Sequence, residues 1–312
     1  MTVFLGLSIQ PLAVILVCII MFVLFLAATG RFDRYRSRPT AKPSPTESSS
    51  KSTEELDKWG NKFRRFQDIY ESIGDVQKAL REAGLESSSL ILAIDYTKSN
   101  DYTGDQTFNG LPLHNIDPNV LNPYQQVISI IGRTLEEFDD DKRVPVFGFG
   151  DATTTNKGAF PFFPDRVCYT VSQVLQRYDE ITPVVKFSGP TNFAPVIYKA
   201  IDIVRTQSEL SLHILVIIAD GQVTDEVDTM DAIVEASHYP ICIIMVGVGD
   251  GPWDMMKEFD DELPERVFDN FQFVDYNEIM STGKYGDASF ALHALQEIPQ
   301  QYKALQEFGM LA

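Results

Sequence analysis

The sequence is poor in the residues on which most catalytic and scaffold chemistries depend. Its 312 residues include three cysteines, Cys18, Cys168 and Cys242, far apart and without paired spacing. That spacing excludes a disulfide framework or a zinc-ligand pattern and favours a reducing compartment. The four histidines lie in polar, helical or strand-flanking contexts that suggest no catalytic pair. There is no serine nucleophile elbow, no phosphate-binding Gly-Lys-Ser/Thr loop and no His-Glu-x-x-His. The glycines of VGVGDG, at 247, 249 and 251, have the wrong spacing for a dinucleotide loop and read as a turn. No Asn-x-Ser/Thr sequon occurs, in keeping with a globular part that stays out of the secretory lumen. Basic residues are scarce: 26 Lys and Arg stand against 44 Asp and Glu, for a net charge of −18. Beyond residue 60 the balance is 19 against 39. Such a chain does not seek nucleic acid or anionic lipid through general electrostatics, although it can attract a cation locally.

What is present begins with a long apolar run. Every residue from Leu12 to Ala28 is apolar, and the stretch over residues 4–28 is long enough for a bilayer-spanning helix of roughly 20 residues. A cleaved signal peptide would want a basic start and a shorter apolar run, and no Lys or Arg precedes this one. Arg31, Arg34, Arg36 and Arg38 follow it directly. The positive-inside rule then predicts a single-pass membrane anchor with the C-terminal part in the cytosol. Residues 29–60 are basic and then rich in Pro, Ser and Thr, the composition of a flexible tether.

From residue 61 to 312 the pattern changes to regular alternation. NKFRRFQDIYESIGDVQKALREAG has helical spacing ending at Gly84, a residue suited to a C-cap. LILAID, VPVFGFGD, LHILVIIADG, PICIIMVGVGD and FQFVDY read as apolar strands. Between them lie NPYQQVISIIGRTLEEF, VSQVLQRYDEI, NFAPVIYKAIDIVRTQ, TMDAIVEASHY and PWDMMKEFDDEL with helical periodicity, and residues 287–308 read as one closing helix. Nearly continuous apolar strands alternating with helices predict an α/β domain, a mostly parallel sheet covered on both faces. In such sheets ligands bind at the carboxyl ends of strands, near the switch in strand order.

Several strands end in an acid. Asp95 ends the first, and Thr97 and Ser99 follow at alternate positions; Asp220 ends LVIIAD; Thr191 stands in the loop SGPTNFAP before a helix. Asp and Thr are ordinary turn and cap residues, so each taken singly has a bland reading. Two carboxylates and three hydroxyls at one sheet edge compose an oxygen-only shell suited to a hard divalent cation. Water would complete the shell, and one position could go to a partner's carboxylate. Asp101, Asp151 and Asp250 are the nearest further acids and read as loop or outer contacts rather than catalytic bases.

Asp95-x-Thr97-x-Ser99, Thr191 and Asp220 together resemble the metal-ion-dependent adhesion site of the von Willebrand factor A fold. The words GLESSSLILAIDYTKSN, VPVFGFGD, GPTNFAP, VIIADGQVTD, VGVGDGPWDMM and ALQEIPQQYKAL are similar to the copine A-domain and to its version in plant-type RING ubiquitin ligases. The likeness runs from about residue 62 to 309. It implies a doubly wound six-stranded sheet with Mg²⁺, or Mn²⁺, held at its top by Asp95, Thr97, Ser99, Thr191 and Asp220. It also implies a protein partner that offers an Asp or Glu to the metal. Copines carry two calcium-binding C2 domains ahead of this one, and the ligase relatives a RING after it. With about 60 residues ahead of the domain and no run of eight Cys/His ligands behind it, the sequence reading expects neither. The functional expectation is a non-enzymatic, membrane-anchored binding module facing the cytosol. A substrate-recruiting accessory of ubiquitination is the alternative. A third reading starts from LILAIDYTKS, whose apolar strand and Asp resemble the opening of haloacid-dehalogenase phosphatases. Thr97 stands where that mechanism needs its second Asp, which removes the general acid.

Overall fold

The computed structural model describes residues 71–312 apart from Ala83, residues 140–142, 167–169, 208–210, Gln222, Pro264, residues 283–284 and Ala312. All of these fall in the second of two units of the chain, Phe63–Ala312. Six strands form one sheet: β1 Ser89–Asp95, β2 Val146–Phe149, β3 Ala159–Pro161, β4 His213–Ala219, β5 Ile241–Gly247 and β6 Phe271–Asp275. Their spatial order is β3-β2-β1-β4-β5-β6, parallel throughout except for the edge pair β2–β3. The helices are α1 Ile73–Glu82, α2 Pro123–Leu135, α3 Val171–Ile181, α4 Ala194–Thr206 and α5 Glu226–Ala236. They continue as α6 Asp254–Glu262, α7 Tyr276–Thr282, α8 Asp287–Leu295 and α9 Ile298–Glu307.

The apolar strands account for this layering. All seven residues of β1, β4 and β5 are buried, so both faces of the sheet centre must be covered. Alternate residues of β1 enter two different cores. Leu90, Leu92 and Ile94 pack with α1, α2, α3, α8 and α9, whereas Ile91 and Ala93 pack with α4, α5 and α6. Each such Leu or Ile side chain contributes about 1.5–3 kcal/mol when fully buried. From β1 the chain crosses through α2 to β2 on one side, and from β4 through α5 to β5 on the other. Right-handed crossovers running in opposite directions place their helices on opposite faces. The switch in direction therefore falls between β1 and β4, with their carboxyl ends side by side.

Helix ends follow local chemistry. α2 begins with a capping box: Asn122 accepts from Gln125 N at 2.9 Å, and the Gln125 side chain accepts from Asn122 N at 2.8 Å. Gly84 has φ +110°, and the bonds Leu85 N to Leu80 O and Gly84 N to Arg81 O close the end of α1 as a Schellman turn. The single closing helix expected over residues 287–308 is two, α8 and α9. Pro299, without an N–H to donate back into α8, sits in the first turn of α9. β3, only three residues long, and the seven-residue α7 leave no periodic mark in the sequence.

One expectation is corrected. Among the described residues no helix is long and apolar enough to cross a membrane. The longest of them, α2 and α4, have 13 residues. At about 1.5 Å rise per residue they fall well short of a hydrocarbon core of about 30 Å. The segment 4–28, on which the membrane localisation stood, and the tether 29–60 lie outside the described residues. The single-pass localisation with the C-terminal domain in the cytosol is withdrawn.

Candidate metal centre

Asp95 is the last residue of β1 and is fully buried. Its Oδ1 accepts from Thr97 N at 2.8 Å, while its Oδ2 is buried with no hydrogen-bond partner. Asp220, one residue past β4, is fully buried as well. The 3₁₀ turn Lys98–Asp101 bends the chain back over the strand ends. Ser99 Oγ donates to Asp220 Oδ1 at 3.1 Å, and Thr103 Oγ1 to Asp220 Oδ2 at 2.6 Å. Thr97 Oγ1 lies 3.0 Å from Ser99 Oγ. Because the Ser99 hydrogen goes to Asp220, Thr97 is the donor of that pair. The hydroxyls thus form a relay into one carboxylate of a closely set acid pair.

Thr191 reaches the same sheet edge by another route. The segment before it bridges to two strand-end loops, Phe187 with Asp151 and Ser188 with Thr97. Lys98 N donates to Ser188 O at 2.7 Å. Thr191 is 7% exposed, and its carbonyl accepts from Thr224 N at 2.9 Å, tying it to the loop after β4. Asp95, Thr97, Ser99 and Asp220 are therefore joined by direct bonds or shared charge. The Thr191 hydroxyl is not hydrogen-bonded to any of the four among the described residues.

Two glycines keep this edge compact. Gly150 has φ +78°, and a Cβ there would meet Thr97 Cγ2 at 2.4 Å and Asp95 Oδ1 at 3.2 Å. A Cβ on Gly249 would meet Asp220 O at 2.5 Å. Behind the acids lies a polar layer that the sequence did not reveal. His114 stacks between Tyr96 and Tyr124, with Nε2 2.7 Å from Asp95 O and Nδ1 2.6 Å from the Tyr178 hydroxyl. Tyr124 donates to Asn100 Oδ1 at 2.6 Å, and Asn100 Nδ2 to Thr97 O at 3.1 Å. Tyr96 and Asn100 belong to the stretch just after β1, whereas His114 and Thr103 come from a long loop and Tyr124 and Tyr178 from α2 and α3. No periodicity or motif marks Thr103 or His114.

The electrostatics follow from burial. Desolvation, and then the charge of Asp220, push the Asp95 carboxyl well above the usual carboxylate range. Burial also raises Asp220, against the hydroxyls of Thr103 and Ser99 that donate to it. Two carboxylates in one buried place with an orphaned oxygen are a combination that a divalent cation relieves. The donor set is all oxygen, as a hard cation prefers. Among the described residues no three His, Cys, Asp or Glu side chains gather as a metal-binding group. The fit to a cation accordingly rests on two carboxylates and their hydroxyl neighbours. Of the further acids, Asp250 accepts from Gln106 N, Thr107 N and Thr107 Oγ1. Asp151 is taken up by Thr153 and Thr154, and Asp101 by Lys98. All three carboxylates hold loops.

The family model described as copine matches residues 112–312. That span includes Thr191 and Asp220 and begins after Asp95, Thr97 and Ser99. Copine family protein 2 of Caenorhabditis elegans is 53% identical over 246 residues, covering 78% of this chain and 3% of that protein. The E3 ubiquitin-protein ligase RGLG1 of Arabidopsis thaliana is 51% identical over 270 residues, covering 81% of this chain and 55% of that protein. The chain thus spans little more than half of the second relative and a small fraction of the first. Among solved structures, a von Willebrand factor type A protein from Catenulispora acidiphila overlays with a TM-score of 0.40 at 14% identity. The overlay covers 69% of this chain and 43% of that one, too loosely to say anything about the site.

Proposed function

This chain belongs to the copine family, and we propose that its α/β domain is a protein-binding module whose adhesion site holds Mg²⁺ or Mn²⁺. Asp95, Thr97, Ser99, Thr191 and Asp220 would hold the ion, directly or through water. The bound ion would supply an open position for an Asp or Glu of the partner. The observation that carries this reading is Asp95 Oδ2, buried and without a partner beside a second buried carboxylate. Three hydroxyls at the same edge add neutral oxygen donors, and the nearby acids are committed to loop amides and hydroxyls or to Lys98. None of them is left as a base to activate water, which favours binding over hydrolysis.

A second reading draws on the relatives. Several are named E3 ubiquitin-protein ligases, RGLG1 and RGLG3 of Arabidopsis thaliana among them. On that footing the same face would recruit substrates for ubiquitination, with ligase chemistry supplied elsewhere.

The metal reading is tested by thermal unfolding of the full chain with and without Mg²⁺ or Mn²⁺. Linkage gives a gain of about 2.7 kcal/mol at one hundred times the dissociation constant. Asp220→Ala is expected to lose that gain, while the ion-free variant is at least as stable as the ion-free wild type, because one of two repelling acids is gone. An equal metal response in both proteins would place the ion elsewhere.

A further inference from the structure

The loop beside the acid pair carries an unusual share of the exposed apolar surface. Residues 102–121 run from the 3₁₀ turn to α2 with no helix or strand of their own. Loops of this length are uncommon in compact domains and usually functional. Nine large apolar side chains are exposed among the described residues, and five belong to this one segment: Tyr102, Leu111, Ile116, Val120 and Leu121. Tyr102 is 61% exposed and Leu111 44%. Some polar groups of the segment turn inward, while Asp105, Gln106, Asn109 and Asn119 stay exposed. Thr103 donates to Asp220, His114 to the Asp95 carbonyl, and Leu113 N to Asn100 O at 2.9 Å. The amides of Gln106 and Thr107 are held by Asp250. Exposed apolar surface concentrated in one segment marks an interaction site.

The chain folds back on itself within this segment, since a Cβ on Gly104 would meet Leu111 O at 2.3 Å. Tyr102 and Leu111 are therefore presented from neighbouring parts of one loop, beside the residues that bond the acid pair. Charge narrows the kind of partner. The segment contains Asp105 and Asp117 and neither Lys nor Arg. On the Thr191 side, Asp225, Glu226 and Asp228 surround the exposed Val227, and Asp228 accepts from Asn192 Nδ2 at 3.2 Å. Apolar side chains set among acids complement a surface that is apolar and basic.

We propose that residues 102–121 are the specificity surface of this site. They select a protein segment that places bulky apolar side chains on Tyr102 and Leu111 and flanks its single carboxylate with Lys or Arg. The carboxylate rests on the metal reading above; the apolar and basic parts do not. An anionic lipid surface fits less well, because the same acids would repel it.

A displayed library of random peptides, selected on the immobilised full chain in Mg²⁺, tests this. Enriched peptides are expected to combine one Asp or Glu with bulky apolar and basic residues. A synthesised enriched peptide should bind the double variant Tyr102→Ser, Leu111→Ser at least about tenfold more weakly, with Mg²⁺ affinity and unfolding temperature unchanged. If the enriched peptides bind equally in EDTA and to Asp220→Ala, yet still lose affinity for the double variant, the metal reading fails and this surface stands. Metal-dependent peptides indifferent to the double variant, or enriched for acids without basic residues, would overturn the proposal and leave the metal reading intact. Binding of the chain to phosphatidylserine vesicles through Tyr102 and Leu111 would overturn it in favour of lipid. A dimer in light scattering that the double variant abolishes would overturn it in favour of a second copy.

Discussion

His114 shows how much of this site is decided one atom at a time. Its Nε2 faces the Asp95 carbonyl at 2.7 Å, and a carbonyl can only accept, so Nε2 carries the hydrogen. Burial lowers the ring's pKa to about 3, and the neutral ring therefore keeps a lone pair on Nδ1. Tyr178 donates to that lone pair at 2.6 Å, and the Tyr178 oxygen accepts from Asn122 Nδ2 at 3.1 Å. The end of β1 is thus tied to the capping residue of α2 by bonds whose direction is settled. His114→Phe would keep the stack between Tyr96 and Tyr124 but take from the buried Asp95 carbonyl its closest donor and from the Tyr178 hydroxyl its closest acceptor. Urea unfolding is expected to show a loss of about 2–4 kcal/mol, much of it recovered in His114→Gln, which restores a donor. Equal stability of wild type and His114→Phe would mean that the bonds contribute nothing net. In the sequence this histidine stands in a polar loop and looks unremarkable. Its partners lie 19 and 64 residues away, beyond the reach of any local pattern.

At the scale of elements, the loop 102–121 depends on a residue from a different strand. Asp250, just beyond β5, accepts from the amides of Gln106 and Thr107 at 3.1 and 2.9 Å and from the Thr107 hydroxyl at 2.7 Å. Its own amide donates to Thr103 O at 2.8 Å. Removing the carboxylate by Asp250→Ala would release the loop while the all-buried β1 and β4 stay packed. Hydrogen exchange is expected to speed up at the amides of residues 106–107 and to remain slow in β1 and β4. Uniform acceleration would instead indicate that Asp250 supports the whole fold, and no change would mean that the loop holds itself. The apolar runs made the strands legible, because a fully buried parallel strand has to be apolar throughout. Short elements escaped: β3 has three residues and is recognisable only by its pairing to β2. α5 begins at Glu226, three residues before the stretch TMDAIVEASHY, because its first turn is exposed and Val227 there stands alone among acids, outside the buried face.

Across the whole molecule, a second acidic group sits at the far end of the sheet from the candidate metal. Asp260 of α6 is raised to about 7 by burial first and by Asp269 next, with Asp261 adding and Arg266 opposing. Glu297, at the start of α9, is raised by burial and by Asp260 and Asp269. The Arg266 side chain is 6% exposed, lies 2.6 Å from Asp269 and donates to the Asp260 carbonyl at 3.1 Å. A carboxyl whose folded pKa exceeds its unfolded value binds its proton more tightly when native. Between about pH 4, where the unfolded group titrates, and pH 7, where the folded one does, stability falls as pH rises. Asp260→Asn removes that loss, so its stability relative to wild type should grow through this window and level off above it. The difference should reach at most a few kcal/mol. Urea midpoints of both proteins across the pH series check this, and parallel curves would show that Asp260 titrates as an ordinary acid.

The alternation of apolar runs and amphipathic stretches determined by itself that the domain is an α/β sheet covered on both faces, since burial on two faces leaves a strand no polar option. The acids at the ends of β1 and β4 were visible for the same reason: each interrupts such a run. Only the tertiary structure decided that β1 and β4 are neighbours at the reversal of strand order, so that Asp95 and Asp220 share one buried volume. It alone also brought Thr103, His114 and Asp250 to that edge and turned five apolar side chains of 102–121 outward. A sequence pattern records which residues are buried, whereas the partner of a buried polar group is chosen by how distant segments pack.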